Sequence, residues 1–184
     1  MADVPRTRMT AAAFLALPET DERTELLDGE AIVAPAPGLD HQRLVLRLAK
    51  LIEGLAAGGE VLVAPVDVLL DEHNVVQPDV LWRAANGPCQ PVEGRYLKGA
   101  PDLVIEIVSP TSEVRDRGLK FDLYEQHAVR EYWIVELEPR FIEVYVLAEG
   151  RLRRQGLFPP EAHFNSPVLG GQTVSVSACF GEAE

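Results

Sequence analysis

Glu106 stands alone in the apolar run Leu103-Val104-Ile105-Glu106-Ile107-Val108. Six residues rich in Val and Ile read as a β-strand, and Val104 and Val108 share the face of Glu106. Both faces are therefore expected to be buried, as in a central strand. A carboxylate in that position is costly unless a cation, a metal or strong donors compensate it, or it takes up a proton. An edge strand with Glu106 facing water, or a buried pair with an Arg, would fit the run as well. Two carboxylates can hold a divalent cation where their oxygens converge. Asp102 shares the face of Glu106, but a regular strand separates the two by ~13 Å. Asp79 follows Gln77-Pro78 on the preceding extended segment and is the better partner, because adjacent strands lie ~5 Å apart. A surface Asp beside a strand-edge Pro is its plain alternative. Hard oxygen donors without a Cys cluster favour Mg²⁺ or Mn²⁺ over softer metals.

Lys120 supplies a third element. The helix after the Glu106 strand packs back across the sheet, so its first turns can overhang the strand's C-terminal end. A lysine there could orient an attacking water or offset developing phosphate charge. An i,i+4 pair with Asp116 on the helix surface is the alternative.

The elements that must position these groups follow from pattern. Thr10 reads as the N-cap of a short helix that stops near Pro18. Thr24 to Leu27 and Ala31 to Ala34 flank Asp28-Gly29, a type I′ hairpin signal. From His41, apolar residues recur at Leu44, Val45, Leu48, Leu51, Ile52 and Leu55, the helical period, until Gly58-Gly59. Val61 to Leu70 and Val75 to Trp82 read as a hairpin, and Ala84 to Gly99 as a loop. Ser109 to Ser112 form a turn and cap before a helix from Arg115 to His127. Strands follow at Tyr132 to Val135, Ile142 to Val146, Arg151 to Leu157 and Thr173 to Val176. From the long helix onward the order is α-β-β-β-α-β, a mixed sheet covered by helices. The strands of Glu106 and Trp133 are expected to be parallel, as a βαβ unit requires.

Length and composition bound the class. The 184 residues fit one domain, 1–184, with 47% apolar and 25% charged residues, an ordinary globular balance. No apolar run approaches the ~20 residues needed to span a bilayer, and Met1 to Leu17 lacks the pattern of a signal peptide. Cys89 and Cys179 show no metal spacing and read as reduced thiols in a cytoplasmic protein. Seventeen basic residues against 29 acidic ones give a net charge of −12. That argues against tight, sequence-independent binding of nucleic acid. It leaves a nuclease open, because a bound metal supplies local positive charge. There is no Gly-rich phosphate loop and no Gly-x-Ser-x-Gly elbow.

Taken together, the motifs resemble a known family. Pro78-Asp79, the block Pro101 to Ser112, Asp116 and Lys120 with Tyr124, and Val129 to Val135 look like the bacterial Uma-type restriction endonucleases of the PD-(D/E)XK nuclease superfamily. Glu25 to Glu30 and His41 resemble that family's N-terminal signatures. The resemblance implies a restriction-endonuclease-like αβββαβ core, with an N-terminal hairpin and extra C-terminal strands. It also implies Mg²⁺-dependent hydrolysis of DNA. Asp79 and Glu106 would bind the metal, with the backbone carbonyl of Ile107 as a further ligand. The superfamily motif places a lysine at position 108, where this chain has Val108, and Lys120 is the replacement. Glu25 and His41 are additional candidates; a hairpin carboxylate facing water and a capping histidine are their alternatives. Cleavage of both strands suggests a homodimer, since two-fold symmetry matches the duplex. A non-catalytic dimeric interaction module on the same fold is the rival expectation, as is a metal-dependent hydrolase of another substrate.

Overall fold

The computed structural model describes residues 8–18, 22–108 and 115–181. Helix α1 (Ala11–Leu15) begins where the Thr10 side chain accepts a hydrogen bond from the Ala13 amide. Strands β1 (Thr24–Leu27) and β2 (Glu30–Val33) pair antiparallel around Asp28 and Gly29. Both turn residues have positive φ, 51° and 78°, the geometry a type I′ turn demands. Helix α2 (Leu39–Leu55) buries Leu44, Val45, Leu48 and Ile52 along one stripe.

The next four strands alternate between two sheets. They are β3 (Glu60–Val63), β4 (Val68–Asp71), β5 (Asn74–Val76) and β6 (Val80–Arg83). β3 pairs with β6, while β4 pairs with β5 in the other sheet. The single hairpin expected from Val61 to Trp82 is thus divided in two. Pro65 and Pro78 interrupt the two segments, and neither can donate to a ladder. The stretch expected to be a loop contains β7 (Gln90–Val92) and β8 (Tyr96–Lys98), with β7 at the edge of the first sheet, where its central Pro91 is tolerated.

Strand β9 (Leu103–Val108) is buried at every position. The turn expected at Ser109 to Ser112 lies outside the described residues. A π-helical turn at Arg115–Leu119 leads into α3 (Lys120–Gln126), in place of one continuous α-helix. The chain continues through β10 (Glu131–Glu136), β11 (Phe141–Ala148) and β12 (Arg151–Phe158). A ribbon of β13 (His163–Ser166) and β14 (Gln172–Ser175) precedes α4 (Val176–Phe180). Neither β13 nor α4 carries a sequence signal long enough to show its period.

The first sheet has the order β2-β1-β5-β4-β8-β7, and the second has β12-β11-β10-β9-β6-β3. In the second, β9 is central, antiparallel to β6 and parallel to β10, so the mixed sheet and the βαβ unit expected from the sequence are both present. The extra strands β11 and β12 extend this sheet within the chain. Leu103, Ile105 and Ile107 pack with α2, α4 and the ribbon. Val104 and Val108, on the opposite face, pack with residues of the first sheet and with Tyr124 of α3. That second face is therefore covered by a sheet as well as a helix. Glu106 belongs to it by alternation. Among the described residues no helix is long and apolar enough to cross a membrane.

Candidate active site

The alternation that buries Glu106 also aims it at α3. Lys120 opens that helix, and Tyr124 lies one turn on, at the i,i+4 spacing that stacks side chains on one face. Lys120 Nζ is 2.8 Å from Glu106 Oε1, and the Tyr124 hydroxyl donates to the same oxygen at 2.6 Å. Burial, and next the charge of Glu106, push the Tyr124 hydroxyl well above its ordinary range, so it stays a donor. The first sheet contributes Glu25 of β1. Its Oε1 lies 2.8 Å from Lys120 Nζ and accepts the Gln77 amide at 2.7 Å. Glu25, Glu106 and Lys120 are each at most 1% exposed. One ammonium thus joins two buried carboxylates from different sheets. Glu106 is not on an edge, Glu25 does not face water and Lys120 points inward, whereas the alternative of a buried ion pair at Glu106 is met, with Lys120 in place of an Arg. The Asp116 side chain is outside the described residues.

Asp79 enters from the other side of β9. Val80 is in register with Ile105, so Asp79, just ahead of β6, falls opposite Glu106 and within reach of the next amide, that of Ile107. The Ile107 amide donates to Asp79 Oδ2 at 2.8 Å. The same oxygen lies 3.2 Å from His41 Nε2, on the first turn of α2. Oδ1 accepts from Arg23 Nη1 at 2.7 Å, and Arg23 Nη2 donates to the Gln77 carbonyl. Burial works to raise the Asp79 pKa. The His41 hydrogen bond and the charges of Arg23, His41 and Lys120 outweigh it and hold the group at about 2. An ionised Asp79 can only accept, so His41 donates through Nε2.

The structure therefore brings together Asp79, Glu106, Ile107, Lys120, Glu25 and His41. Asp102 stands apart, accepting from the Ala84 amide and from Arg130. Val108 is a buried core residue, and Lys120 approaches Glu106 from the next helix. Arg23, the Tyr124 hydroxyl and the Gln77 backbone were not foreseen. A buried carboxylate had called for a cation, but nothing in the spacing of Arg23 ties it to Asp79. Trp133 is a core residue, and its indole N–H donates to Glu131, another buried carboxylate.

A cavity of about 280 Å³ opens on the Asp79 side and is lined by Arg23, His41, Gln77, Asp79 and neighbours. Three carboxylates (Glu25, Asp79, Glu106) face two cations (Arg23, Lys120), leaving one formal negative charge. Among the described residues no three His, Cys, Asp or Glu side chains form a ready-made metal cluster. Two carboxylates and a carbonyl nevertheless suit a hard ion that keeps much of its water, as Mg²⁺ does. The donor set fits the metal expected from the sequence.

A crystal structure of a putative nuclease belonging to DUF820 from Anabaena variabilis superposes with a TM-score of 0.77, covering 94% of this chain and 97% of that one. At 19% identity the match speaks to the fold alone. The uncharacterized protein slr1290 of Synechocystis sp. is 27% identical over 130 residues, 67% of this chain. The chain spans 66% of that protein's length, just under two thirds. Residues 11–177 match the model of the Uma2 family, described as "Putative restriction endonuclease", and the chain belongs to that family.

Proposed function

We propose that this protein is a divalent-metal-dependent endonuclease that hydrolyses DNA phosphodiester bonds. The observation that carries the reading is a buried lysine, Lys120, held on the Glu106 carboxylate at 2.8 Å, while Asp79 is tied to the amide of the next residue, Ile107. Stability alone gives little reason for such a group, since a buried ion pair is often no better than well-packed apolar residues. Asp79, Glu106 and the Ile107 carbonyl would hold Mg²⁺ or Mn²⁺. Bound there, the ion supplies Lewis-acid activation of the phosphate and of the attacking water.

The chain's own groups do the rest. Tyr124 fixes the Glu106 carboxylate, and His41 with the Ile107 amide fixes Asp79. Lys120 orients the water and offsets charge building on the phosphate. Glu25 holds Lys120 in place. The test is incubation of the purified protein with supercoiled, linear and single-stranded DNA in Mg²⁺, Mn²⁺ and EDTA. Cleavage by wild type that EDTA and Lys120→Met both abolish supports the reading; cleavage that survives EDTA refutes it.

The net charge of −12 favours a second reading, a non-catalytic interaction module on this fold. Absence of cleavage by a protein that still binds Mn²⁺ would favour it. For the nuclease we also propose a homodimer, acting in the cytoplasm on DNA held transiently.

A further inference from the structure

Arg23 is the one charged group of the site with no part in the proposed chemistry. Both Asp79 oxygens are occupied, Oδ1 by Arg23 and Oδ2 by the Ile107 amide and His41. Three of the roughly four lone-pair sites of the carboxylate are thus taken, and the one left is on Oδ1, where a divalent ion would sit against the Arg23 guanidinium and the two cations would repel. The Ile107 amide is backbone of the central strand, and His41 is carried on the seventeen-residue helix α2. Arg23 is different: a long, flexible side chain just ahead of β1, 19% exposed, on the wall of the 280 Å³ cavity. Its Nε is buried and has no hydrogen-bond partner among the described residues. A guanidinium is a planar fork of donors matched to phosphate oxygens, and here one prong is unused.

We propose that Arg23 and a divalent metal are alternative occupants of Asp79 Oδ1, and that the displaced guanidinium turns into the adjoining cavity to bind a phosphate of the nucleic-acid strand. Charge supports the exchange. With Arg23 in place the three carboxylates and two cations sum to one negative charge, which repels phosphate. A divalent ion reverses that sum to one positive charge, the match for one phosphodiester. Arg23 is then the resting counter-ion of the metal seat and the binding residue of the loaded one. Phosphate binding is consequently conditional on metal, in a protein whose overall charge offers DNA little else. The inference rests on the metal reading above.

Calorimetric titration of wild type and Arg23→Gln with Mn²⁺ tests the first half. Removing the competing cation is expected to tighten Mn²⁺ binding on the order of tenfold, equivalent to about 1.4 kcal/mol. Arg23→Lys keeps the charge without the fork, is the variant safer for folding, and is expected to show a smaller gain. Anisotropy of a labelled DNA duplex tests the second half, read in EDTA and in Ca²⁺, which takes the same oxygen ligands. Ca²⁺ is expected to strengthen duplex binding by wild type and much less by Arg23→Gln. Mn²⁺ binding by wild type that Arg23→Gln leaves equal or weaker would overturn the exchange while the metal reading stands. Tighter Mn²⁺ binding with unchanged duplex binding would overturn the phosphate role. No Mn²⁺ binding by any of the three proteins would overturn the metal reading and this inference with it.

Discussion

Replacing Lys120 by Met is the sharpest perturbation available, because one ammonium balances two buried carboxylates. Nζ lies 2.8 Å from Oε1 of both Glu25 and Glu106, and none of the three side chains is exposed by more than about 2%. Methionine fills similar volume but leaves two like charges facing each other in a dry site. Stranding a buried charge costs about 3–5 kcal/mol. For a chain of this length each kcal/mol lowers Tm by roughly 2–4 °C, so a fall of roughly 6–20 °C is expected without metal. Glu106→Gln alone behaves differently. The amide oxygen still accepts from Lys120 and Tyr124, and Lys120 keeps Glu25, so the cost stays within about 1 kcal/mol. In the double variant one of the two facing charges is gone, and Glu106→Gln should restore about 1–3 kcal/mol of what Lys120→Met lost. Urea melts of the four proteins at pH 7, in EDTA, give the cycle. A loss below about 1 kcal/mol for Lys120→Met, or no rescue by the second change, would refute the charge argument.

Tyr124→Phe removes a 2.6 Å donor to Glu106 and should cost about 1–3 kcal/mol, with weaker Mn²⁺ binding in calorimetry; unchanged affinity would reduce Tyr124 to packing. Glu131 tests pH linkage away from the site. Burial raises its pKa above 4.5, against the donors Trp133, Val168 and Ser166. A raised carboxyl pKa means that the folded state binds more protons than the unfolded one. Its stability contribution is thus complete below about pH 4.5 and lost as pH rises through the folded value. The advantage of wild type over Glu131→Gln should therefore shrink with rising pH in melts across that range; a growing advantage would contradict it. Light scattering at micromolar concentration should give twice the 20.2 kDa chain mass, and a strict monomer would remove the dimer proposal.

What the sequence made legible was whatever repeats over enough residues or depends on a local rule. The Asp28-Gly29 turn, the α2 stripe, the Thr10 cap and the buried run of β9 each follow from their own few residues. The parallel pairing of β9 and β10 followed because a strand, helix and strand have few ways to connect. The crossing of the chain between two sheets at Pro65 and Pro78 was not legible, because an extended segment looks the same whichever partner it finds. β7, β8 and β13 are too short to show alternation: β7 and β8 form a small hairpin that joins the first sheet through β4, and β13 pairs, among the described residues, only with β14. In the site, Glu106 announced itself as a charge in an apolar run. Lys120 was suggested by the helix that follows the strand and Glu25 by the family resemblance, but the burial of both depends on the first sheet folding over α3. Arg23 and the Tyr124 hydroxyl depend on the same closure. A sequence shows that a buried carboxylate needs partners, but only the packing shows which ones.

The central claim is that Asp79 and Glu106 share a divalent ion, and anomalous diffraction from crystals soaked in Mn²⁺ tests it most directly. The account predicts one strong peak bounded by the Asp79 and Glu106 carboxylates and the Ile107 carbonyl, absent from Glu106→Ala crystals, with the Arg23 guanidinium moved off Asp79. A peak elsewhere, or an unoccupied site with Arg23 still on Asp79 at saturating Mn²⁺, would contradict it.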